Sequence, residues 1–84
     1  RMEPEALEKF LSYLMSKVNA GYGYRTGNTK KYIVTTKKGQ ASIEITLKGN
    51  GNTTVLITIL GYGEIVEILA EKIDSEMDVF LGDD

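Results

Sequence analysis

Ala41-Ser-Ile-Glu-Ile-Thr-Leu-Lys48, Gly49-Asn-Gly-Asn52 and Thr53-Thr-Val-Leu-Ile-Thr-Ile-Leu60 follow one another without a break. In the first stretch Ala41, Ile43, Ile45 and Leu47 alternate with Ser42, Glu44, Thr46 and Lys48. In the third, Val55, Ile57 and Ile59 alternate in the same way. A period of two is the signature of a strand with one buried face. The glycine–asparagine run between them reads as a turn, and so short a connection makes the two strands antiparallel.

Working outward, Lys30–Thr36 reads as a further strand with Tyr32 and Val34 on one face, joined to the next by a tight turn at Lys38-Gly39. Upstream of it, Gly21-Tyr-Gly-Tyr-Arg-Thr-Gly-Asn-Thr29 has three glycines and no periodicity and reads as a loop. Pro4–Val18 reads as a helix: Ala6, Leu7, Phe10, Leu11, Leu14 and Val18 recur at three- and four-residue spacing. Pro4 suits the first turn, and Gly21 and Gly23 are the expected stop. On the other side, Gly61-Tyr-Gly63 ends the third strand and a second helix begins near Glu64. Its apolar stripe is Ile65, Leu69 and Ile73, joined by Val66 and Ile68, and its wet face is Glu64, Glu67, Glu71 and Asp74. Periodicity does not say whether it continues through Met77 and Phe80. Gly82-Asp-Asp84 reads as a tail.

The expected fold is α+β, in the order α-β-β-β-α. It is a three-stranded antiparallel sheet with two helices packed on the face that carries Ile43, Ile45, Val55 and Ile57. Residues 2–84 are expected to form a single domain. The opposite face should carry the rows Lys31–Thr46–Leu56, Ile33–Glu44–Thr58 and Thr35–Ser42–Leu60, a threonine-rich surface interrupted by large aliphatics.

Composition narrows the chemistry. The 84 residues include no Cys and no His, which removes disulfides, thiolate metal sites and the commonest general base. A hydrophobic content of 42% argues against disorder. No apolar run approaches the ~20 residues of a membrane span. Arg1 precedes Met2, which makes Met2 the expected natural start. No signal-peptide pattern opens the chain, so a cytoplasmic location is expected. Richness in Ile, Glu and Lys without Cys, His or Trp leans towards a thermophile.

Charge is sorted along the chain. Between Arg25 and Lys48 six cations (Arg25, Lys30, Lys31, Lys37, Lys38, Lys48) face one acid, Glu44, a net of +5. From Gly61 onward eight acids face Lys72 alone, a net of −7. The formal total of −2 conceals a basic middle and an acidic end.

Several motifs reduce to structure. Gly61-Tyr-Gly63 sits between strand and helix, but Glu64 and Glu67 would repel an anion there. Gly21-x-Gly23-x-x-x-Gly27 has the wrong spacing for a dinucleotide fingerprint. Asp74-x-Glu76-x-Asp78 lacks the glycine of a calcium loop, Val79 standing in its place. The carboxylates of the second helix recur as on any wet helix face. No catalytic residue, metal site or cofactor is expected, and the chain does not read as an enzyme.

What remains is a basic and aromatic constellation: Tyr22, Tyr24, Arg25, Lys30 and Lys31, with Lys48 and the Asn50/Asn52 turn returning to the same end of the sheet. Cations neutralise phosphates and tyrosines stack on bases. Lys37 and Lys38 lie at the other end, roughly 20 Å away at ~3.3 Å per residue, a separation that could straddle a duplex groove. Lysines at turns and strand edges also serve as solubility devices. The α-β-β-β-α order resembles that of double-stranded-RNA-binding domains over about Pro4 to Ile73. Their basic cluster at the start of the second helix is replaced here by Glu64 and Glu67, so any nucleic acid is expected on another surface. The expected function is a small non-catalytic domain that binds RNA or DNA. The alternative is a homo-oligomeric interaction or assembly module, a homodimer joined through the open sheet face at Ile33, Glu44, Thr46, Leu56 and Thr58.

Overall fold

A computed structural model describes residues 4–49 and 53–81. The elements are α1 (Pro4–Lys17), β1 (Gly21–Thr26), β2 (Thr29–Thr36), β3 (Gly39–Lys48), β4 (Thr54–Gly61) and α2 (Glu64–Leu81). The class is α+β, and the strands form one antiparallel sheet in the order β1-β2-β3-β4. The sheet has four strands and not three. The extra strand is the glycine-rich segment that reads as a loop. The expected turn at Asn50 to Asn52 and the tail 82–84 lie outside the described residues.

β1 forms because Gly27 and Asn28 close a two-residue hairpin between Thr26 and Thr29. Gly27 has φ of 60°, the left-handed value that the first position of a type II′ turn requires. β1 shows no buried face, since all six of its residues are exposed and β2 alone supplies its ladder. A strand of that kind leaves no hydrophobic alternation to read.

The sheet face that β2 and β3 turn inward presents Tyr32, Val34, Ala41, Ile43 and Ile45, all buried. Leu7, Phe10, Leu11, Leu14, Met15 and Val18 of the α1 segment cover it together with Ile65, Leu69 and Ile73 of α2. Val55, Ile57 and Ile59 point the same way and are half-buried. Ala6 and Ile68 fall outside the buried stripes, and Met15 joins them. α2 runs through Met77 to Leu81, and Phe80 stacks on Phe10 with ring centroids 3.7 Å apart. Lys17 meets Glu76 at 4.0 Å, so the helices run antiparallel. The Cα envelope measures 39 × 30 × 17 Å, the thickness of one helix layer on one sheet layer, and no described element covers the second sheet face.

α1 stops before the glycines. Asn19 takes φ of 60°, Asn19 N donates to Ser16 O and Ala20 N donates to Met15 O at 2.9 Å. That pair of bonds is a Schellman cap with asparagine in the place usually held by glycine.

β3 and β4 pair as the sequence predicts, with Thr46 opposite Leu56, Glu44 opposite Thr58 and Ser42 opposite Leu60. β2 is displaced by two residues from the expected rows: Lys31 faces Glu44, Ile33 faces Ser42 and Thr29 faces Thr46. The turn is Lys37-Lys38, with Thr36 opposite Gly39, and not Lys38-Gly39. Its conformation is held by the Thr36 hydroxyl, which accepts from Lys38 N at 3.0 Å. Moving a turn by one residue moves the register by two, so every side chain keeps its face and only its neighbours change.

Candidate functional site

The basic and aromatic constellation does not form one patch. Tyr22 pairs with Tyr32 and Tyr24 pairs with Lys31, so a β-bulge at Gly23 separates the two tyrosines. Without it, residues two apart would share a face. With it, Tyr22 lies on the helix side, its ring edge-on to Tyr32 at 5.5 Å. Tyr24 lies on the open side, where Lys31 Nζ stands 5.8 Å from its ring centroid. A Cβ at position 23 would stand 3.0 Å from Lys31 O, tighter than ordinary contact, so a larger residue in the bulge requires the two strands to shift.

Arg25 follows Tyr22 to the helix side. Arg25 and Lys30 are direct cross-strand neighbours. Both line an open groove between α1 and the first hairpin, whose volume is about 490 Å³. Its other walls include Ser12 and Ser16 of α1, one turn apart, and the two tyrosines Tyr22 and Tyr32. A smaller recess of about 70 Å³ continues it towards Glu8, Asn28 and Leu47. The groove is open because β1 is exposed along its whole length, with α1 residues forming only the facing wall.

Two details suit this groove to an anion. Among the described residues neither Arg25 nor Lys30 has an ion-pair partner. Like charges side by side on adjacent strands are unfavourable, and a bound anion relieves that repulsion. The Arg25 Nε donates to Gly27 O at 3.0 Å, which holds the guanidinium against the hairpin tip and leaves its two amino groups available. The tip itself is tied down by Leu47 N donating to Asn28 O at 3.3 Å. Burial pushes the Tyr32 phenol above its ordinary value of 10.0, with Tyr22 and Glu8 adding to the shift, so at neutral pH it is an O–H donor.

The other residues expected in the site lie elsewhere. Lys31 and Tyr24 are on the open face. Lys48 is exposed at the end of β3 beside Thr54, at the same end of the sheet as the hairpin tip. Lys37 and Lys38 occupy the opposite end, and Lys38 is engaged with Glu64 at 3.1 Å. Ser12, Ser16, Asn28 and Tyr32 are groove residues that charge and aromatic patterning do not single out. Gly27-Asn28 is a signal for Asn28 and Tyr32 only, since a two-residue glycine–asparagine loop marks a hairpin and places Arg25 opposite Lys30, while Ser12 and Ser16 enter through the packing of α1.

Among the described residues no group of acidic, His or Cys side chains is placed to hold a metal ion. None of their helices is long and apolar enough to cross a membrane. Comparison with protein-family models gives no match. Comparison with curated proteins gives none either.

Proposed function

We propose that this chain is a small non-catalytic nucleic-acid-binding domain that takes a single strand into the groove between α1 and β1. The observation that carries this reading is the adjacency of Arg25 and Lys30 in an open groove walled by two tyrosines. Two cations with no ion-pair partner among the described residues supply phosphate contacts. Tyr22, half-exposed and edge-on to Tyr32, offers a face to a base. Ser12, Ser16 and Asn28 provide hydrogen bonds along the walls. Lys48 lies at the same end of the sheet but on the open face, so it is outside the groove.

A single strand fits this arrangement better than a duplex. The groove lies between a helix and a hairpin, where a splayed-out base has room to stack and a rigid double helix does not. The likeness of element order to double-stranded-RNA-binding domains belongs to this reading only in part: β1 is inserted between α1 and β2, and the start of α2 is acidic. Lys37 is available at the far end as a second contact, while Lys38 must first leave Glu64.

The test is a titration with single- and double-stranded RNA and DNA at low salt. Single strands are expected to bind more tightly. The double substitution Arg25→Gln, Lys30→Gln should weaken binding for all sequences and lower the slope of log K against log salt by about 1.4 for a single strand, roughly 0.7 for each phosphate no longer neutralised. Failure of all four nucleic acids to bind at low salt overturns the proposal.

A further inference from the structure

We infer that the uncovered sheet face is a self-complementary docking surface, and that its partner is a second copy of this chain. The open face has a definite layout. Its central row is Tyr24–Lys31–Glu44–Thr58, running across β1, β2, β3 and β4. On one side lies the row Ile33–Ser42–Leu60 and on the other Thr29–Thr46–Leu56. Ile33, Leu56 and Leu60 are 39%, 47% and 46% exposed, and no described element of the chain covers them.

Charge selects the partner. Lys31 and Glu44 stand side by side on the two central strands, in the central row. Glu44 is half-buried and has neither an ion pair nor a side-chain hydrogen bond among the described residues. A second copy placed face to face, with a two-fold axis parallel to the strands and passing between β2 and β3, sets β2 over β3 and β1 over β4. Lys31 of each copy then meets Glu44 of the other, twice by symmetry. A two-fold axis across the strands would instead set Lys31 on Lys31 and Glu44 on Glu44. The charges therefore choose one of the two face-to-face geometries.

The apolar groups agree with the same choice. With β1 over β4, Tyr24 lies above Thr58 of the second copy, and Leu56 and Leu60 flank that threonine on the same face. The tyrosine ring, 56% exposed, is a knob for the gap between the two leucines. Ile33 lies above Ser42, a small residue. The ordinary angle of about 30° between packed sheets pivots on the centre and leaves the Lys31–Glu44 exchange in place. Strands about 26 Å long in a sheet about 19 Å wide give a projected face of about 500 Å² per copy. Two copies bury about 1,000 Å² before side-chain relief is counted, the threshold for a specific interface. The groove with Arg25 and Lys30 is on the other face, so self-association leaves it open and the dimer carries two.

The test is sedimentation equilibrium with charge-swapped variants. Wild type is expected to be a dimer at high micromolar concentration. Lys31→Glu alone places acid against acid across the interface, and Glu44→Lys alone places base against base. Each should raise the dimer dissociation constant by more than about tenfold. An equimolar mixture of the two variants should dimerise again, because each face now complements the other. Leu56→Lys, which removes an apolar wall of the tyrosine site, should also give monomers and serves if either charge variant fails to fold by circular dichroism. Arg25→Gln with Lys30→Gln should dimerise as wild type does, so loss of nucleic-acid binding and loss of association are separable. A wild type that stays monomeric overturns the inference. So do single variants that dimerise unchanged, or a mixture of folded variants that does not reassociate.

Discussion

At the scale of single residues, Tyr32 joins the core to the groove. Its ring is buried beneath α1 while the residue lines the groove shared with Arg25 and Lys30. Burial, followed by the neighbouring Tyr22 and Glu8, raises its pKa. The folded chain therefore holds this proton more tightly than the unfolded chain, whose tyrosines titrate near pH 10. Above that pH the unfolded state loses the proton first, so stability falls from about pH 10 upward until Tyr32 itself ionises. Tyr32→Phe should have a shallower loss of stability between about pH 9 and 11, read as the urea midpoint at each pH. Lysine titration is common to both proteins and cancels in the comparison. Equal slopes would mean that Tyr32 ionises freely in the fold.

At the scale of elements, β1 is the one that position and not hydrophobicity holds. It has a hairpin loop with the correct glycine, a bulge at Gly23 where a Cβ would be tight against β2, and a ladder to β2, but no buried face. Gly23→Val should disrupt it, because the new Cβ meets Lys31 O at 3.0 Å. We expect a cost of about 1–3 kcal/mol, within the range for overpacking, with the damage confined to the first hairpin. Amide hydrogen exchange should show protection lost in residues 21–33 and retained in β3 and β4. Loss spread over the whole sheet would mean that β1 supports the core after all. The same substitution should weaken nucleic-acid binding, since it misplaces Tyr22 and Arg25 together.

At the scale of the whole molecule, the charge sorted along the chain is also sorted in space. The cations of β1 and β2 line one edge of the sheet, and α2 lies over the other edge, against β3 and β4. Its acids Glu67 and Glu71 are exposed. Such a molecule is electrically polar despite a formal charge of only −2. It should present its basic edge to a polyanion and turn its acidic helix away. Glu67→Gln with Glu71→Gln should raise the association rate with single-stranded nucleic acid severalfold at low salt and leave the dissociation rate nearly unchanged. Stopped-flow fluorescence would measure both. The gain should vanish near 1 M salt, where screening acts over about 3 Å.

Read from the residues alone, the second half of α2 and the burial of Met15 were not legible, whereas α1, the first half of α2, the three apolar strands, the face of most core residues and the pairing of β3 with β4 already were. These are local properties: a period of 2 or 3.6 is set by backbone geometry and survives any choice of neighbours. Tertiary structure alone decided three other things. β1 became a strand because the Gly27-Asn28 loop folds it back onto the free edge of β2, although none of its residues is buried and only the Tyr22 ring meets a core side chain, Tyr32. The Lys37-Lys38 turn, held by Thr36, set which residues face each other across β2 and β3, and so brought Lys31 to Glu44. The bulge at Gly23 sent Tyr22 and Tyr24 to opposite faces and divided one basic cluster into a groove and an open surface. Each rests on a contact between parts of the chain that composition and periodicity do not record, because backbone hydrogen bonds pair without regard to side-chain hydrophobicity.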